Sequence, residues 1–107
     1  MNRSNPIGVF DSGIGGLTVV KQVASFLPSE NIVYFGDTAR VPYGSKSNAT
    51  VIEYSIQDAK FLLKKNVKMI VVACNTASSA AIKDLKENFD IPIIGMIEPG
   101  AKTALAN

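Results

Sequence analysis

An α/β domain, built on an open and mostly parallel sheet with helices on both faces, is what the sequence predicts, on three observations. Short β-branched apolar runs alternate with stretches of helical period. The runs are continuous rather than alternating, as strands covered on both faces require. Each run also ends on a polar or reactive residue, and in open sheets of this kind a ligand sits beyond the carboxyl ends of the strands.

Ile7-Gly8-Val9-Phe10 is the first such run and ends at Asp11. Gly15-Gly16 then opens a helical pattern with Leu17, Val20, Ala24 and Leu27 on one face, stopped by Pro28. The second strand is Asn31-Ile32-Val33-Tyr34-Phe35, ending at Gly36-Asp37, and a polar loop bearing Pro and Gly runs on through Ser47. A second helix is expected from about Asn48 to Lys65, with Ile52, Ile56, Ala59 and Leu63 at helical spacing. Met69-Ile70-Val71-Val72-Ala73 is the clearest strand, continuous and β-branched. The third helix spans roughly Thr76 to Asn88, with Ala77, Ala81 and Leu85 on one side. Ile91-Pro92-Ile93-Ile94 reads as a fourth strand, in which Pro92 marks a strand start or an edge position. Glu98-Pro99 starts a fourth helix that reaches Asn107. Right-handed crossovers are expected throughout.

The 107 residues are the size of one modest domain, and a 47% hydrophobic, 19% charged composition is that of a globular chain. Eleven basic and nine acidic residues leave a net charge of only +2, and they are scattered. Nucleic-acid binding needs clustered Lys and Arg, so no nucleic-acid partner is expected. The longest apolar runs fall far short of a membrane span, and the amino terminus leads into too short an apolar stretch for a signal peptide. There is no histidine, which removes Ser-His and Cys-His pairs and His-ligated metals. One cysteine excludes an internal disulfide and multi-Cys metal sites, and suits a reducing cytoplasm.

Asp11-Ser12-Gly13-Ile14-Gly15-Gly16 is a tight strand-to-helix turn. It is either a plain turn with an N-cap or one whose backbone N–H groups and helix terminus cradle an anion. A dinucleotide fingerprint would need glycine where Thr18 stands, and no Gly-Lys-Ser/Thr is present. Cys74 sits in an apolar run, where a cysteine is usually inert core. Yet it ends its strand and precedes Asn75-Thr76, a capping pair, so the helix dipole would favour a thiolate there. Phosphatase chemistry lacks its arginine, since Ala80 stands at that place, and no Cys-x-x-Cys exists. An acyl-transfer cysteine would lack its usual base, which leaves a thiolate that moves protons. Gly36-Asp37-Thr38 with Pro42-Tyr43-Gly44-Ser45-Lys46 is either a surface excursion or a substrate-covering wall. Lys64-Lys65, Lys83 and Lys86 read as solvated helix faces.

These segments together resemble the amino-terminal part of the glutamate racemase family, within the aspartate/glutamate racemase superfamily. The resemblance rests on Gly8 through Gly16, Phe35-Gly36-Asp37, Pro42-Tyr43-Gly44, Ala73-Cys74-Asn75-Thr76-Ala77 and Ile97-Glu98-Pro99, in that order. It implies a flavodoxin-like half of an aspartate/glutamate racemase fold. Residues 1–97 would form a first catalytic α/β domain, completed by carboxy-terminal segments, and 98–107 would begin the helix leading to a second domain. The implied activity is an isomerase reaction, cofactor-independent interconversion of L- and D-glutamate. It would supply D-glutamate for peptidoglycan, and so cell-wall biogenesis and cell shape, from the cytoplasm. In the family two cysteines flank the α-carbon; Cys74 matches the first, while the second, in a Cys-Thr-His segment, has no counterpart here. By position Asp11, Ser12, Pro42, Tyr43, Gly44, Asn75 and Thr76 would hold the substrate's amino and carboxylate groups, and Asp11 would take the Cys74 thiol proton. No cofactor or metal is implied, the expected partner is glutamate, and a homodimer of the full-length protein is left open. The 107 residues alone are expected to be inactive. An aspartate or broader amino-acid racemase, a receiver-like module and a non-catalytic binding fragment remain as alternatives.

Overall fold

The computed structural model describes residues 4–12, 16–40 and 43–95, with the side chains of Gly16, Leu17 and Tyr43 excepted. The elements are β1 (Ile7–Asp11), α1 (Gly16–Phe26), β2 (Ile32–Gly36), α2 (Asn48–Leu63), β3 (Met69–Val72), α3 (Asn75–Asn88) and β4 (Ile93–Gly95). Two short 3-10 turns, Thr38–Arg40 and Tyr43–Ser45, lie between β2 and α2. The four strands are parallel, in the order β2-β1-β3-β4. Parallel pairing is what continuous apolar strands joined by helices require.

Strand order and burial agree. β1, between β2 and β3, is buried along its whole length, whereas every residue of the outer strand β2 is half-buried. Successive side chains point to opposite faces. Ile7, Val9 and Val71 pack with Val23 of α1, while Phe10, Ile70, Val72 and Ile93 pack with Val51, Ala59 and Leu62 of α2 and Ala77, Ala81 and Leu85 of α3. The chain steps one way from β1 to β2 and the other way from β2 to β3. That reversal places α1 on one face and α2 with α3 on the other, as crossovers of one hand demand.

The ends of the helices are chemically marked. Ser47 caps α2, its hydroxyl accepting the Thr50 N–H at 3.2 Å. Asn66 sits at φ 60°, just past the end of α2, in the left-handed conformation that short amide side chains tolerate.

Some expectations shift. The buried stripe of α2 is Val51, Ser55, Asp58, Ala59 and Leu62, one residue out of phase with Ile52, Ile56 and Leu63, which are only half-buried. In α1 it is Val23 that is fully buried, and Ala24 is exposed. β4 starts after Pro92 rather than at Ile91, and Pro92 uses its carbonyl to accept the Ile70 N–H at 3.0 Å. β4 lies at the edge of the described sheet, so Pro92 is at a strand start on an edge strand, as its ring predicts. Lys64, Lys65, Lys83 and Lys86 are exposed. The helix expected from Glu98, and the turn residues Gly13, Ile14 and Gly15, lie outside the described residues.

Candidate active site

The sheet order reverses direction between β1 and β3, and a parallel α/β sheet opens a crevice at such a point, beyond the carboxyl ends of the two strands. The residues there are Asp11-Ser12 at the end of β1 and Cys74 just after β3. The ladder carries the ends of β1, β3 and β2 forward together: the Ala73 N–H donates to the Phe10 carbonyl at 2.9 Å and the Asp37 N–H to the Asp11 carbonyl at 3.0 Å. Asp11 is fully buried and Ser12 is 7% exposed.

Cys74 takes the place that Ser, Thr, Asp or Asn usually occupies at a helix start. It is the N-cap of α3, in an extended conformation, and its sulfur accepts the Ala77 N–H at 3.5 Å. Its carbonyl accepts the Ser78 N–H at 2.8 Å, which begins the helix. The thiol is free and only 8% exposed, so it is held at the positive end of α3 and largely out of water.

Asp11 faces the α1 side of the sheet, where the Tyr34 hydroxyl donates to its Oδ1 at 2.8 Å. Burial, then the hydrogen bond to Asp11, then the Asp11 charge push the Tyr34 phenol up to about 12. Sequence reasoning missed Tyr34, which reads as one more apolar residue of its strand. The available signal was its hydroxyl, because a tyrosine turned inward from a strand needs a hydrogen-bond partner.

The loop after β2 reaches the same edge. Gly44 lies against α3: a Cβ built on it would stand 3.8 Å from Thr76 Oγ1. The loop and the Cys74–Asn75–Thr76 segment are therefore brought together, with Asn75 exposed and Thr76 half-buried. Pro42 lies outside the described residues, and Tyr43 is placed by its backbone alone. Asp37, at the end of β2, is buried; Arg40 approaches its carboxylate at 3.7 Å and lays its guanidinium over the Tyr54 ring, 4.3 Å from the centroid. This braces the base of the loop against α2.

A thiol at a helix N-cap, a buried carboxylate and a loop against the helix start stand at the switch point of a parallel α/β sheet, the place where such folds bind their ligands. Comparison with known proteins gives the particular family. A family model described as Asp/Glu/Hydantoin racemase matches residues 16–107, and the chain belongs to this family. It is 56% identical over 100 residues to the glutamate racemase of Geobacter metallireducens, a match spanning 94% of this chain and 37% of that protein. A crystal structure of Thermus thermophilus glutamate racemase, in complex with β-chloro-D-alanine, aligns with a TM-score of 0.89 at 56% identity, covering 97% of this chain and 41% of that one. Glutamate racemase from Aquifex pyrophilus aligns with a TM-score of 0.85 at 55% identity, covering 92% and 39%. The chain thus spans little more than a third of the length of the relatives it matches. Among the described residues no helix is long and apolar enough to cross a membrane.

Proposed function

We propose that the chain is the amino-terminal part of a glutamate racemase and carries one of its two proton-transfer groups. The observation that carries the reading is Cys74, a free thiol capping α3 at the same carboxyl edge of the sheet as the buried Asp11, in a chain so similar to glutamate racemases. The Cys74 thiol gives its proton to Asp11, and the thiolate then removes the α-proton of glutamate from one face. A cysteine in the remainder of the full-length protein delivers a proton to the opposite face. The two then exchange roles for the reverse reaction, so no cofactor is needed. Asp11, Ser12, Pro42, Tyr43, Gly44, Asn75 and Thr76 hold the amino and carboxylate groups. Burial supports this chemistry, because a proton next to a carboxylate is removed more easily where water is excluded and donors face the developing charge. The product would be D-glutamate for peptidoglycan, made in the cytoplasm.

The test is Cys74→Ser in the full-length protein. Serine keeps the cap but is a far weaker base. Racemisation of L- and D-glutamate, followed with α-proton exchange in deuterated water, should fall by at least about a hundredfold. Undiminished turnover by Cys74→Ser refutes the assignment, and faster turnover of aspartate than of glutamate would move the protein to another member of the superfamily.

A further inference from the structure

We infer that Tyr34 is a positioning residue for this reaction: from the gap left by Gly36, its hydroxyl holds the Asp11 carboxylate in orientation at the carboxyl edge of the sheet. The inference rests on the role proposed above for Asp11.

Three residues make the device. The register pairs Val9 with Tyr34 and Asp11 with Gly36, so Tyr34 lies diagonal to Asp11 on the same face of the sheet. A side chain directly opposite Asp11 would block that diagonal, and none is there. A Cβ built on Gly36 would stand 2.8 Å from the Tyr34 hydroxyl oxygen and 3.4 Å from Asp11 Oδ1. Glycine at this place therefore serves the passage of the phenol. The hydroxyl then meets Oδ1 at 2.8 Å. With one oxygen held, rotation of the carboxylate is restrained and one direction of its second oxygen is favoured.

The phenol suits this task. Its ionisation, pushed up to about 12, leaves it a donor across the pH range in which an enzyme works. A hydrogen bond to a charged acceptor is shorter and stronger than a neutral one, so the orientation is firmly held. Asp11 is fully buried, so water does not take the place of a missing donor.

The experiment compares Tyr34→Phe, Asp11→Asn and the double variant of the full-length protein. Tyr34→Phe keeps the ring and removes only the donor, so the variant should fold, its melting temperature lowered by only a few degrees. Its kcat should fall roughly tenfold to a hundredfold, the size of a lost hydrogen bond to a charged group, with KM changed much less. On the Asp11→Asn background the same substitution should cost no more than about twofold, because Tyr34 acts through Asp11. A readout independent of activity is the carboxylate resonance of Asp11 in protein labelled with carboxyl-13C aspartate, assigned by its loss in Asp11→Asn. That resonance should move in Tyr34→Phe. Should Tyr34→Phe fail to fold, Gly36→Ala, which pushes the phenol aside, should lower kcat and move the same resonance. Wild-type kcat in Tyr34→Phe, equal losses on both backgrounds, or an unmoved resonance overturns the inference. Full-length protein that fails to racemise glutamate refutes the proposed function instead, and a moved resonance then still supports the Tyr34–Asp11 contact.

Discussion

Tyr34 gives up its proton less readily in the folded chain, at about 12, than in the unfolded one, at 10.0. The neutral phenol is thus the form that folding prefers. Its contribution to stability is fully present below pH 10.0 and is lost as pH rises through about 12. Alkaline titration of phenolate absorbance should therefore show one late component that Tyr34→Phe removes, and the wild type should lose more stability than that variant across the same interval. An unchanged titration curve would show that burial and Asp11 do not act on this phenol as described. Single residues differ in how far they can be read from sequence. Asp11 and Cys74 stand out because each follows an apolar run, and strand ends are where chemistry collects. Tyr34 does not, because its partner is fixed by parallel register with β1, a relation between distant segments. The approach of Gly44 to Thr76 is hidden for the same reason: it depends on the path of a loop, and loops carry no periodicity.

Elements were legible where burial follows hydrophobicity. All four strands and α3 with its Ala77–Ala81–Leu85 stripe stand where the apolar runs and spacing put them, to within a residue or two. The stripe of α2 slipped in phase because Ser55 and Asp58 occupy buried positions, and a pattern of apolar residues cannot see a buried polar one. In α1 Val23 lies inward and Ala24 outward, a distinction that two adjacent apolar residues do not disclose. Packing between α3 and β4 depends on another position invisible to periodicity. A Cβ on Gly95 would lie 2.1 Å from Ser78 Oγ, 3.3 Å from Ser78 Cβ and 3.5 Å from Ile82 Cδ1. Ser78 sits within α3 and is buried, so it has little room to move. Gly95→Ala should destabilise the protein by about 1–3 kcal/mol, the usual cost of overpacking. Ser78→Ala removes the closest atom, a buried hydroxyl with no hydrogen-bond partner among the described residues, and should recover part of that loss. Denaturant unfolding of the two single variants and the double variant measures both effects, and strictly additive losses would show that Gly95 and Ser78 do not meet.

At the scale of the molecule, the switch point between β1 and β3 gathers Asp11, Cys74 and the loop at Gly44 on one edge, and all of this lies within little more than a third of a relative's length. Racemisation with two bases needs a proton donor on each face of the α-carbon. These 107 residues hold one cysteine and no histidine, so the proposed two-base route needs a second group from outside them. The chain by itself should therefore be catalytically silent. Its stability should suffer too. Phe26 and Phe61 are 44% and 40% exposed, and Phe61 stacks with Phe35 of the half-buried outer strand β2, their ring centroids 4.7 Å apart. Apolar groups beside an outer strand favour self-association when nothing covers them. The isolated chain should bind a hydrophobic dye and elute above its monomer mass at high concentration. Circular dichroism through thermal unfolding, size-exclusion chromatography and a glutamate racemisation assay test these expectations together. A cooperatively folding monomer that racemises glutamate at the full-length rate would overturn the two-base account, because Cys74 alone would then be serving both faces of the substrate.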